Sequence, residues 1–203
     1  MIVPVHPEDP QPRVIDQAAR ILEGGGLVVY PTDTAYGIGC DISNRRAIER
    51  IYQIKRRDRK HSLSVICADL SSATDYALLP NSAFRILKRC LPGPYTLVLP
   101  ASRETPRALM PKRRTVGIRV PDHPVPLALT RALGRALCSG TACLDGAPPF
   151  CDPYEIEDTL GHAVDMVLDV GPLEPGRLST VVDLTDEEPE ILRYGIGDAS
   201  LFE

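Results

Sequence analysis

Hydrophobic positions recur along this chain in two alternating rhythms, one at helical spacing and one in short apolar runs. In RVIDQAARILEGG, Val14, Ile15, Ala18, Ile21 and Leu22 share a helical face, and Gly24 to Gly26 supply a stop. LVVYP at 27–31 follows as a short strand buried on both faces. Ser43 or Asn44 can cap a second helix with Ile48, Ile51, Tyr52 and Ile54 along its inner side. LSVIC at 63–67 is the next strand, and NSAFRILKRC at 81–90 is a helix ending before Leu91-Pro92-Gly93-Pro94. Strands are expected at 95–99, 115–120, 136–139, 165–170, 179–184 and 190–194. Helices are expected at 126–134 and near 153–160, the latter opened by Asp152-Pro153. Seven or eight strands among four or five helices predict an α/β domain with a twisted, mixed sheet flanked by helices. No linker or repeat divides the chain, so 1–203 reads as a single domain, and the final strands follow one another closely enough for antiparallel pairing.

Composition narrows the class. Of 203 residues, 43% are hydrophobic and 25% charged, which suits a packed globular core and excludes a disordered chain. The opening MIVPVHPEDP has no basic start followed by an apolar run, and no stretch approaches the roughly 18 apolar residues of a membrane span. A cytoplasmic location is expected. Six cysteines at 40, 67, 90, 138, 143 and 151 form no C-x-x-C pair, so zinc and dithiol redox chemistry have no spacing behind them. Cys67 and Cys138, set in apolar runs, read as buried thiols.

The net charge of −4 conceals a division. Residues 1–149 carry 21 basic and 13 acidic side chains, whereas 150–203 carry 2 and 14. Within 45–60, RRAIERIYQIKRRDRK holds eight cations against two anions. Such a cluster on an acidic protein favours local phosphate attraction, although a solvated helix face reads the same way.

Three segments concentrate polar chemistry. PTDTAYGIG at 31–39 places two hydroxyls, a carboxylate and a phenol directly after a strand, where α/β sheets hold ligands; an Asx or Ser/Thr turn is the alternative. Lys55 and Arg57, at i and i+2 beyond a helix end, can converge on one polyphosphate, while cations also favour that position through the helix dipole. SGTACLDG at 139–146 offers amides and hydroxyls to anionic oxygen, or is a plain glycine-rich turn. Walker and Rossmann glycine patterns are absent.

Together these segments resemble the YrdC-like family, whose members make threonylcarbamoyl-adenylate for the t6A modification of tRNA. PTDTAYGIG, I-Y-x-I-K-x-R at 51–57, LPGPYTLVL at 91–99, TVGIRVPDHP at 115–124, SGTACLDG, STVVDL at 179–184 and ILRYGIGD at 191–198 follow the family's order across nearly the whole chain. The resemblance implies an α/β sheet around a deep, positively charged cavity. It implies a nucleotidyltransferase reaction of L-threonine, bicarbonate and ATP, with Mg2+ carried on the phosphates. ATP would be held by Lys55, Arg57, Thr141, Cys143, Ser179 and Arg193, and threonine by Thr34 and Arg119. No residue is assigned a catalytic role beyond positioning, and no protein metal site is expected.

Departures accompany the match. The family's S-x-N becomes Thr141-Ala142-Cys143, exchanging an amide for a weakly bonding thiol. Arg56, Asp58 and Ser62 also stand where the family has other residues. These changes resemble the YciO branch and imply a weakened synthase activity. The alternative is a double-stranded RNA-binding or nucleotide-sensing protein without efficient catalysis. Its phosphate contacts, to tRNA or another duplex, would come from Arg45, Arg46, Lys112, Arg113 and Arg114. An aromatic content of 5% gives no sign of base stacking.

Overall fold

The computed structural model describes residues 1–55, 63–110 and 114–202. Its strands are β1 (Ile2–Pro4), β2 (Val28–Tyr30), β3 (Gly37–Asp41), β4 (Ser64–Ile66), β5 (Tyr95–Pro100), β6 (Thr115–Arg119), β7 (Leu137–Thr141), β8 (Met166–Asp169), β9 (Thr180–Asp183) and β10 (Glu190–Arg193). The helices are α1 (Pro12–Glu23), α2 (Arg45–Ile54), α3 (Leu70–Ala73), α4 (Asn81–Cys90), α5 (Pro124–Leu133) and α6 (Pro153–Leu160).

Local chemistry sets the helix ends. Pro12 opens α1 with the φ angle a first helical turn requires, and Gly24 ends it. The Asn44 side chain accepts from the Ala47 N–H and starts α2, which delivers Lys55 at its C-cap. His123 Nδ1 accepts from the Val125 N–H at the head of α5, and Gly134, at φ +70°, closes it in the left-handed conformation.

The strands form one open sheet in the order β1-β8-β2-β3-β7-β4-β6-β5-β9-β10. Pairing is mixed: β1–β8, β2–β8, β4–β6 and β5–β9 are parallel, the rest antiparallel. The expected antiparallel pairing at the end of the chain holds for β9 with β10. It does not hold for β8, which lies parallel between β1 and β2 at the opposite end.

Two apolar layers sandwich the sheet. On one face Ile38, Cys40, Val65, Leu97, Ile118, Cys138 and Val182 pack with α2, α4 and α6 through Ile48, Ile51, Leu87 and Ile156. Burial makes Cys67 and Cys138 the inert thiols expected, pushing the Cys67 thiol up to about 12. On the other face α1 and α5 cover Val28, Tyr30, Ile66, Leu137 and Met166. That cover does not extend across the middle of the sheet.

Three expectations require correction. Gly37 to Asp41 form β3, although the segment from 31 to 39 reads as a loop. β7 runs to Thr141, so the turn expected from Ser139 begins only at Ala142. β1 carries no pattern in the sequence, because three residues ending in proline are too few to show alternation.

Candidate functional site

Six adjacent strands, β3, β7, β4, β6, β5 and β9, build the site. Residues directly opposite one another in a ladder point to the same face. Register therefore strings Gly39, Ser139, Ser64, Gly117, Val98 and Asp183 into one row. These small and polar side chains leave a cavity of about 460 Å³, within the range of small-molecule sites. At the β3 end of the row Tyr30 covers Gly39, where a Cβ would stand 2.7 Å from its ring. Its hydroxyl donates to Ser139 Oγ at 2.6 Å, and burial raises the phenol pKa above its ordinary value.

Thr34, Lys55, Arg119, Thr141, Ser179 and Arg193 all line this one cavity. Arg119, at the end of β6, spends Nη2 on the PTDT loop. It pairs with Asp33 and donates to Thr34 Oγ1 at 2.7 Å and Thr32 Oγ1 at 3.3 Å. Thr32 in turn donates to the Ala35 carbonyl at 2.6 Å, which fixes the loop. Arg119 Nε is buried and has no hydrogen-bond partner among the described residues. The Tyr36 phenol, placed among candidate ligand groups by sequence, donates to the Gly171 carbonyl at 2.8 Å and accepts from the Val170 N–H. Burial pushes it up to about 12.

Lys55 is only 3% exposed. Its stem crosses Gly140, where a Cβ would meet Lys55 Cε at 3.4 Å and Leu63 Cδ2 at 2.9 Å. The ammonium donates to the Thr141 carbonyl and approaches Cys143 Sγ at 3.2 Å. Cys143 is itself buried and absent from the cavity wall, so it acts on the site through Lys55. Arg57 lies outside the described residues.

At the other end, Ser179 and Thr96 share a hydrogen bond of 2.9 Å between their hydroxyls. Arg193 grips Ser179 twice over, donating to its carbonyl at 2.9 Å and its Oγ at 2.9 Å. A bulge in β10 sets Ile191 opposite Val182 but Arg193 opposite Val181. The extra residue, Leu192, joins Arg193 in the cavity wall.

Of the cations named for duplex contacts, Arg45, Arg46 and Arg114 do not line the cavity. Arg45 pairs with Glu49 at 3.0 Å on the surface, Arg46 and Arg114 are exposed, and Lys112 and Arg113 lie outside the described residues. Thr32 and Asp33 belong to the polar segment at 31–39, whereas Ser64, Thr96 and Asp183 line the cavity without having been named as candidates. Their available signal was alternation in S-x-I, T-x-V and V-x-D, a small or polar residue at every second strand position.

Comparison with known proteins bears on this geometry. The sequence profile of the Sua5/yciO/yrdC family, described as "Telomere recombination", matches residues 20–195. The crystal structure of Escherichia coli YciO, an uncharacterised protein, superposes with a TM-score of 0.96 at 40% identity, over 100% of this chain and 99% of that one. Pyrococcus abyssi Sua5, solved with L-threonine, gives 0.90 at 32% identity, over 96% of this chain and 57% of its own. A threonylcarbamoyl-AMP synthase of Bacillus subtilis is 37% identical over 192 residues, 92% of this chain and 54% of the relative. The profile match over most of the chain, the relatives at 37% identity or more and these superpositions together make the chain a member of the Sua5/YciO/YrdC family.

Proposed function

We propose that the cavity binds ATP and L-threonine and, with bicarbonate, forms L-threonylcarbamoyl-adenylate, a precursor for t6A in tRNA. The reading rests on one observation, the convergence of Arg119 with Thr34 and of Lys55, Thr141, Ser179 and Arg193 on a single cavity. The names of the B. subtilis synthase and of threonine-bound P. abyssi Sua5 support the choice of substrates.

The chemistry asks for positioning and charge neutralisation. The threonine amine captures the carbon of bicarbonate with loss of water. A carbamate oxygen then attacks the α-phosphorus of ATP as pyrophosphate leaves in line. Magnesium arrives on the phosphates as part of the substrate. Arg119 suits the amino-acid carboxylate because its guanidinium is planar, and Asp33 with Thr32 and Thr34 holds that plane in place. Lys55 is presented to the phosphates on a stem that packing has already immobilised, so little side-chain entropy remains to be lost. Its bond to a thiol is weak, and a phosphate oxygen outcompetes it. A thiol at position 143 also offers fewer and weaker bonds than the family's amide to any other group it meets, so a slow reaction is expected.

The test is incubation of purified protein with ATP, L-threonine and labelled bicarbonate. Labelled adenylate is expected, with loss of at least about tenfold in Lys55→Ala. No labelled adenylate at high enzyme concentration removes the synthase reading.

A further inference from the structure

Asp183 is the one carboxylate among the described residues of the cavity wall, and neither substrate requires it for charge balance. Its Oδ1 is occupied, accepting from the Thr185 N–H at 2.9 Å and the Thr185 hydroxyl at 2.6 Å. Its Oδ2 accepts no hydrogen bond from any described residue. Register puts the side chain on the cavity face beside Val98, and Val181 and Leu192 complete an apolar shelf around it.

Position decides what such a group meets. Along the row of facing residues, Asp183 and Ser139 are four strand spacings apart, about 19 Å on a flat sheet. Lys55, bonded to Thr141, marks the Ser139 end. At the shelf end Arg193 donates to the Ser179 carbonyl and hydroxyl and Asp183 offsets its charge, so the phosphates of a nucleoside triphosphate are drawn to Lys55 at the other end. Its uncharged end, the sugar and base, therefore lies toward the shelf, where apolar surface suits a purine and a free carboxylate oxygen accepts from a donor.

We propose that Asp183 is a specificity-determining residue that accepts a hydrogen bond from the nucleoside of the bound nucleotide. This rests on the nucleotide-binding reading above and adds to it a reason for selecting one nucleotide over another. Two nucleoside groups supply such a donor, the ribose hydroxyls and the exocyclic amine of adenine.

Calorimetric titration of the full chain with ATP, 2′-deoxy-ATP and inosine triphosphate separates them. Wild type is expected to bind ATP roughly ten- to a hundredfold tighter than one of the two analogues. A penalty on the deoxy analogue identifies the ribose hydroxyl, and a penalty on the inosine analogue identifies the amine. Asp183→Asn keeps an acceptor for Thr185 but turns a donor toward the cavity, so the same preference should shrink to near unity. A preference that persists unchanged in Asp183→Asn overturns the inference while leaving ATP binding intact. Equal wild-type affinity for all three nucleotides overturns it without recourse to any variant. If wild type binds no nucleotide, the nucleotide-binding reading fails and the inference with it.

Discussion

The same six strands present two faces of opposite character. On the core face Ile38, Val65, Leu97, Ile118, Cys138 and Val182 are essentially inaccessible and interlock with helices. One residue away in their strands, Ser64, Ser139, Gly117 and Asp183 line the cavity. A β-strand offers its faces independently, so close packing on one side pays for vacancy on the other. Stability and ligand affinity should therefore respond to different substitutions, even at neighbouring positions.

The largest expected effect is on the core face. Leu97→Ala should lower unfolding free energy by about 2–5 kcal/mol in denaturant titration, with nucleotide affinity of the folded protein unchanged. Gly117→Val attacks the other face. Its Cβ would lie 3.1 Å from Thr96 Cγ2 and 3.4 Å from Ser64 Oγ, and its methyls would enter the cavity. It should cost about 1–3 kcal/mol in stability but weaken ATP binding at least about tenfold, read by calorimetry. Equal losses of affinity from both variants would abolish the distinction between the faces.

The smallest effect probes the helix that covers the remainder of the cavity-side face. Burial lowers the His123 pKa below its usual 6.5, against the opposing pull of Asp33 and Asp122. The unfolded chain thus binds a proton more readily than the folded one. The neutral Nδ1 cap of α5 contributes fully above pH 6.5 and is lost as pH falls through the lower folded value. His123→Asn, which retains a cap acceptor, should flatten that acid-side loss of about 1 kcal/mol in thermal unfolding between pH 7 and 5.

What the sequence disclosed follows the same division. Core-face residues sit in apolar runs, so β2, β4, β5, β6 and β7 are legible to within a few residues, as are α2, α4 and α6. β3 is hidden because Gly37 and Gly39 stand where alternation requires side chains, and Tyr30 occupies their place. The positions of Thr34, Lys55 and Arg119 could be named from motifs. The pairings between such residues could not, since Asp33 reaches Arg119 across 86 residues and Cys143 reaches Lys55 across 88, and neither separation leaves a local pattern. Asp183 falls inside STVVDL at 179–184 but carries no role there, and its place on the cavity face is set by the register of β9 against β5.

The pairing of β5 with β9 also fixes the order in which the cavity comes into being. During synthesis Lys55 and Arg119 emerge well before Ser179, Val181, Asp183 and Arg193, which supply the far wall from the last quarter of the chain. A nascent protein thus carries the cations of its site with no enclosure around them, and a long loop must close before β9 docks. Any ligand that needs both walls, at a hundred times its dissociation constant, would hold the folded state by about 2.7 kcal/mol and so help retain the C-terminal strands.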